Sequence, residues 1–318
     1  MAKSGSYDFS LNRDGIIRKA MTQLQLVKPN SNPPSDWVTD AAETLNVMIK
    51  VWQAEGIGLW LNKKFTLFLQ YEQQSYDLGP TGDHATLSYN YTTLSAAAAS
   101  AASTIVVTSA TGITDTYAIG VELDSGTMQW TTVSGAPSST TVTLTAALTG
   151  AAASGNTVYV YETIIQRPLE VWEPRTLESS SDDETNINIV SREEYMAMTD
   201  KDNTGRPNMA YYDPQLTDGK LYVWPAPDTV DTVLVATAKY PIQDFDAAAN
   251  DADFPVEWTE ALVWNLAMRI APAHMDDIMT DRIPLIEKYA RESKENAMRF
   301  DSEHGTSIFF QPEMRQDW

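Results

Sequence analysis

Residues 64–70 read KFTLFLQ, and here the apolar residues change from a helical period to a period of two. Phe65, Leu67 and Leu69 fall on one side and Thr66, Phe68 and Gln70 on the other, which is the alternation of a strand. Upstream the pattern is helical. Within residues 12–27, Ile16, Ile17, Ala20, Met21, Leu24 and Val27 recur at the i, i+4, i+8 spacing of one buried helix face. After the break KPNSNPPSD (28–36) a second helix follows, with Ser35 or Asp36 placed to cap it and Trp37, Ala41, Leu45, Met48, Ile49 and Trp52 on one stripe. Gly56 and Gly58 end it. Both tryptophans follow the apolar stripe, which makes them core contacts rather than a ligand cage.

Downstream of KFTLFLQ the composition shifts. No Lys or Arg occurs between Lys64 and Arg167, and the stretch is rich in Ala, Ser, Thr and Gly. Short Thr/Val/Tyr-rich runs at 104–108, 117–123, 128–133, 141–144 and 158–161 are separated by Gly, Asp, Ser and Pro turns. Ile105, Val107, Ile119, Val121, Val142 and Leu144 supply an alternating core, so the segment reads as an inserted β-barrel or sandwich. From residue 164 the charges return. Ser191 and Glu194 form a capping box that opens a short helix. Tyr211 and Tyr212, residues 220–224 and residues 232–240 then alternate like a meander expected to pair with the strand at Lys64. Pro255 leads a strongly apolar helix through Trp258, Leu262, Asn265, Leu266, Arg269 and Ile270, and a last helix spans about 284–300. The end, HGTSIFFQPEMRQDW, has no helical period.

The fold expected from these patterns is α+β: a helical bundle body, an antiparallel β-sheet extension and an inserted small all-β barrel or sandwich. In domain terms, 1–91 with 163–302 make the core, 92–162 the inserted β-domain and 303–318 an extended C-terminal arm.

The 318 residues, 43% apolar, suffice for a substantial core, and the absence of cysteine removes disulfides, thiolate zinc sites and thiol nucleophiles. The first residues lack a signal-peptide pattern and no apolar run approaches the ~20 residues of a membrane helix, so a soluble chain made in the cytoplasm, without membrane contact, is expected. A net charge of −21 opposes gripping of a nucleic-acid backbone, yet suits a channel through which DNA slides without sticking. The three histidines, His84, His274 and His304, have no metal-ligand spacing, and no phosphate-cradling or nucleophile-elbow string occurs. Carboxylates are plentiful, but without a fixed separation abundance alone does not make an acid/base pair. No catalytic residue, cofactor or metal is expected.

Six strings, taken in order, resemble one family. They are NRDGIIRKAMTQL (12–24), DAAETLNVMIKVWQAEGIGLW (40–60), VSREEYMAM (190–198), TGRPNMAYYDPQ (204–215), GKLYVWPAPD (219–228) and DFPVEWTEALVWNLAMRIAP (253–272). This order is similar to that of the head-to-tail adaptors of short-tailed bacteriophages, also called tail accessory or packaged-DNA stabilisation proteins. The segment from about 92 to 162 departs from it and resembles the optional β-modules of phage structural proteins.

The resemblance implies a virion protein of the head–tail connector. It would form a homo-oligomeric ring of twelve copies between the portal protein and the tail nozzle protein, with double-stranded DNA passing non-specifically through the centre during ejection. It also implies portal contact through the C-terminal arm, at Ile308, Phe309, Phe310, Pro312 and Trp318. Ser191, Arg192, Glu194, Tyr195, Gly205, Arg206, Pro207, Tyr212, Pro214, Trp224 and Pro225 would be structural motif positions. The insertion would either contact tail fibres or spikes or decorate passively. Two other readings stand beside this one. A peptidoglycan-cleaving tail enzyme would use a Glu/Asp pair, and a tail-associated carbohydrate-binding protein would present Tyr117, Trp130, Tyr159 and Tyr161 of the insertion.

Overall fold

In the computed structural model, which describes residues 5, 9–181, 183–275, 278 and 282–301, residues 64–68 of the KFTLFLQ stretch lie in strand β1 (Asn62–Phe68). The other strands, in chain order, are β2 (Ser75–Leu78), β3 (Ala85–Thr86), β4 (Asn90–Thr93), β5 (Thr104–Val106), β6 (Ala118–Glu122), β7 (Met128–Thr132) and β8 (Thr141–Thr143). They continue with β9 (Thr157–Tyr161), β10 (Glu170–Glu178), β11 (Glu184–Asn186), β12 (Asn188–Ile189), β13 (Met209–Asp213), β14 (Gly219–Trp224) and β15 (Thr232–Lys239). The helices are α1 (Arg13–Gln23), α2 (Ser35–Ala54), α3 (Arg192–Ala197), α4 (Thr259–Ile270) and α5 (Ile283–Phe300). Two compact units result, one holding the chain up to Trp60 and from Ile242 onward, the other Leu61–Pro241.

The expected helical bundle body with a sheet extension is overturned. Among the described residues the chain is mostly β-sheet, with fifteen strands in four sheets and only the five helices above. The physical reason is burial of both faces of the central strands, so that sheets stack on sheets. The first sheet has the order β11-β10-β15-β1-β3, the second β12-β13-β14-β2, the third β4-β9-β6-β7, and β5 pairs with β8 in a small fourth. Phe65 and Leu67 of β1, with Leu234, Ala236 and Ala238 of β15, pack against Tyr76, Leu78, Ala210, Leu221 and Val223 of the second sheet. The opposite face, Phe68, Val233 and Val235, packs with Tyr159 and Tyr161 of β9. Val158 and Val160 of the same β9 turn into a third core with Ile105, Val107, Ile119, Val121 and Val142. Each strand therefore feeds two cores through its period-two alternation.

Residues 92–162 are packed onto the first sheet. They build a layer whose Met128, Tyr159 and Tyr161 share a core with Phe68 of β1 and Val233 and Val235 of β15. Tyr159 and Tyr161, taken above as presented to a glycan, are 0% and 5% exposed. The expected meander also pairs differently: of its described strands β15 runs beside β1, whereas β14 pairs with β13 and β2.

In the other unit, α4 touches α1, α2 and α5, and its Ala261, Leu262, Leu266 and Ala267 are fully buried, consistent with its apolar sequence. Asn12 caps α1 by accepting from the Gly15 amide at 2.9 Å. Neither Ser35 nor Asp36 caps α2, which begins directly after Pro34 without a side-chain cap. Trp52, Trp60 and Trp258 cluster with ring centroids 5.5–5.6 Å apart, which places Trp52 in the core as its stripe indicates.

Candidate functional site

The strings VSREEY, TGRP and LYVWPAP, well separated in sequence, fold into one bracket on the second sheet. The β13–β14 pair sets its frame, with Met209 opposite Trp224 and Tyr211 opposite Tyr222. The bend at 204–207 is bonded to the end of this frame. The Gly205 amide donates to the Ala226 carbonyl at 2.8 Å, and the Asn208 amide to the Trp224 carbonyl at 3.0 Å. The Trp224–Pro225 peptide is cis. Pro207 is buried. Arg206 reaches across to the first sheet, where its Nε donates to Thr176 Oγ1 at 2.8 Å. Thr176 is itself completely buried.

Helix α3 closes the bracket. The Ser191 hydroxyl accepts the Glu194 amide at 3.2 Å, and the Glu194 carboxylate accepts the Ser191 amide at 2.7 Å, a capping box as the spacing indicates. That backbone bond, followed by the Ser191 hydroxyl, holds the Glu194 carboxyl below the usual carboxylate range. Arg192 opens α3 at the surface. The Tyr195 ring is buried, 5.2 Å from Tyr222 and 6.1 Å from Tyr211, and Tyr211 and Tyr222 stack at 5.7 Å. The Trp224 indole donates to the Asp200 carbonyl at 2.7 Å and fastens the loop after α3. Tyr212 donates to the Pro168 carbonyl at 2.6 Å, and burial pushes its phenol upward. Pro214 follows β13 in an exposed turn.

Ser191, Glu194, Tyr195, Tyr212 and Trp224 are thus committed to backbone groups or to neighbouring rings, which holds the bracket together. Sequence reasoning missed Thr176 and Pro168, which receive bonds from Arg206 and Tyr212. Both are distant in sequence, and no local period marks them.

Two further chemistry-bearing groups, His84 and Glu184, are likewise tied into structure. The His84 ring stacks on Trp130 at 3.9 Å and meets the Tyr161 hydroxyl at 2.7 Å. Burial drives its pKa down to about 4. Glu184 is held low by its hydrogen bond to Arg175, at 2.8 Å. Among the described residues no cluster of three or more His, Cys, Asp or Glu could hold a metal, and no helix is long and apolar enough to cross a membrane.

Large apolar side chains reach the surface mainly on the helix-containing unit. Among the described residues, ten of the sixteen exposed ones belong to it although it is the smaller unit, including Val47, Val51, Leu285, Tyr289 and Phe300. The α2 pair was missed in the sequence because Val47 and Val51 lie off the Trp37–Trp52 stripe; a second apolar stripe on one helix was the available signal. Ile308, Phe309, Phe310, Pro312 and Trp318 lie outside the described residues. No family model and no curated protein sequence matches the chain.

Proposed function

We propose that this protein is a structural ring subunit, a head-to-tail adaptor joining the portal to the tail nozzle of a short-tailed bacteriophage. The observation that carries the reading is the convergence of VSREEY, TGRP and LYVWPAP, strings on which the family resemblance rests, into one internally bonded bracket. A set of motif residues engaged in holding backbone in place suits a protein whose work is shape. The surplus of exposed apolar side chains on the helix-containing unit supports assembly with other chains, and the net charge of −21 suits an unsticky DNA conduit.

In this reading the C-terminal arm, through Ile308, Phe309, Phe310, Pro312 and Trp318, meets the portal, copies close into a ring, and the protein is part of the virion connector. The test mixes the purified chain with portal rings of the same phage and follows sedimentation, with negative-stain images of the product. A portal-dependent ring is expected; persistent monomer without portal binding would sink the proposal. Truncation after Glu303 should abolish portal binding, and a truncated chain that still assembles would remove the arm's role.

A further inference from the structure

Residues 191–203 leave the second sheet and return to it with both ends pinned. At the start the Val190 amide donates to the Ala210 carbonyl at 2.9 Å, and at the finish the Ala226 amide donates to the Asn203 carbonyl at 2.9 Å. Between these pins Tyr195 alone is buried. Ala210, Leu221 and Val223 point into the core between the sheets, so strand alternation turns Met209, Tyr211, Tyr222 and Trp224 to the outer face. There the Tyr195 ring sits 5.2 Å from Tyr222 and 6.1 Å from Tyr211, beside the stack those two make. Two further ties hold the segment down, both at the solvent surface. The Trp224 indole donates to the Asp200 carbonyl at 2.7 Å, and the Gln74 side-chain amide donates to the Asp202 carboxylate at 3.0 Å.

We propose that residues 191–203 are a lid that opens as one unit while the sheet beneath stays intact, baring the Tyr211–Tyr222 stack. Opening breaks no strand pairing, because both pins lie at the ends of the segment and the β12–β13 and β13–β14 ladders lie outside it. Its cost is low, since one buried ring and two exposed hydrogen bonds are what detach, and exposed bonds exchange readily for water. Off the sheet, α3 cannot persist: it has six residues, against the about 12–15 that even a good helix former needs alone. The segment should nevertheless move together, because its other bonds are internal. The capping box joins Ser191 to Glu194, the Tyr195 amide donates to the Ser191 carbonyl at 3.0 Å, and the Met198 amide to the Tyr195 carbonyl at 3.3 Å. Lys201 reaches back over the Tyr195 ring, 5.2 Å from its centre, and meets the Met196 sulfur at 3.7 Å. These contacts form or are lost with Tyr195. The inference uses the contacts of this sheet alone and does not rest on the adaptor reading.

Native-state hydrogen exchange on the full-length chain tests the lid. The amides of Glu194, Tyr195 and Met198 should share one protection, at least about a hundredfold below that of the β13–β14 ladder. Gln74→Ala removes the tie at Asp202 and leaves the Gln74 backbone bond to Val223 in place. It should speed exchange about threefold to tenfold, the worth of one exposed hydrogen bond, and do so at Glu194 and Tyr195 as much as beside Asp202, with the ladder unchanged. In a second variant, Tyr195→Ala, iodination of Tyr211 and Tyr222 should quicken severalfold over the wild type, read by peptide mass. Lid amides as protected as the ladder would overturn the inference. So would a Gln74→Ala effect that stops short of Glu194 and Tyr195, which is fraying, or unchanged iodination of Tyr211 and Tyr222, which would mean that nothing is covered.

Discussion

Acid should loosen the join between the first and third sheets through a single imidazole. His84 sits against Trp130 and pairs its Nδ1 with the Tyr161 hydroxyl, a phenol that burial keeps protonated, with its pKa raised to about 12. Its folded pKa of about 4 lies below the ordinary 6.5, so as pH falls the unfolded chain takes up the proton first. The stabilisation is present above about pH 6.5 and drains away as pH falls toward 4, below which this group costs nothing further. With one pKa unit worth about 1.4 kcal/mol, the loss from pH 7 is about 2 kcal/mol at pH 5 and about 3 kcal/mol at pH 4, as a ceiling for a ring that keeps some solvent contact. Urea unfolding of the wild type and of His84→Phe at pH 7, 5 and 4 isolates the effect, because Phe retains the stacking on Trp130 and cannot titrate. Carbon-13 labelling of the histidines follows the ring itself. A His84 resonance that titrates near 6.5, or equal pH dependence in the two proteins, would refute the reasoning.

Other substitutions test the layers and the bracket. Phe68→Ala removes a buried ring that lies 4.8–5.4 Å from Tyr159, Trp130 and Tyr89, and should cost about 3–5 kcal/mol in denaturant unfolding. Excising 92–162 strips the same core of Tyr159 and Tyr161, so the shortened chain should bind a hydrophobic dye that the intact protein does not; equal dye binding would contradict the shared core. A double-mutant cycle on Arg206→Ala and Thr176→Val should return a coupling of about 1 kcal/mol, and additive effects would dissolve the link between the two sheets. Ser191→Ala should cost about 1 kcal/mol and raise amide exchange at Glu194 and Tyr195 first, detectable by hydrogen exchange.

The stretches that could be read locally are those whose partners are local. The stripes of α1, α2 and α4, the Ser191–Glu194 box and the alternation in β1 and β15 are all visible within a few residues, and each forms the element it indicates. The bracket was legible only in its parts: SREEY as a capped start and LYVWP as a strand with its turn could be named. That Arg206 would bond Thr176, thirty positions away, could not. Val47 and Val51 were passed over because the stronger stripe through Trp52 already accounted for the helix.

What the sequence determined by itself was the kind of each element, since helical and strand periods, caps and turn residues act over one or two turns of chain. Tertiary structure alone decided how the strands share cores. The pattern FTLF or TVYV states that a strand has two faces; it does not state whether water or another sheet covers the second. Here a sheet covers it. Phe68 and Val235 find Tyr159 across the interface between the first and third sheets, nearly a hundred residues of intervening chain notwithstanding. Burial of both faces turned an expected helical body with a β appendage into stacked sheets, because the energy that chooses among layerings comes from contacts that no stretch of local sequence contains.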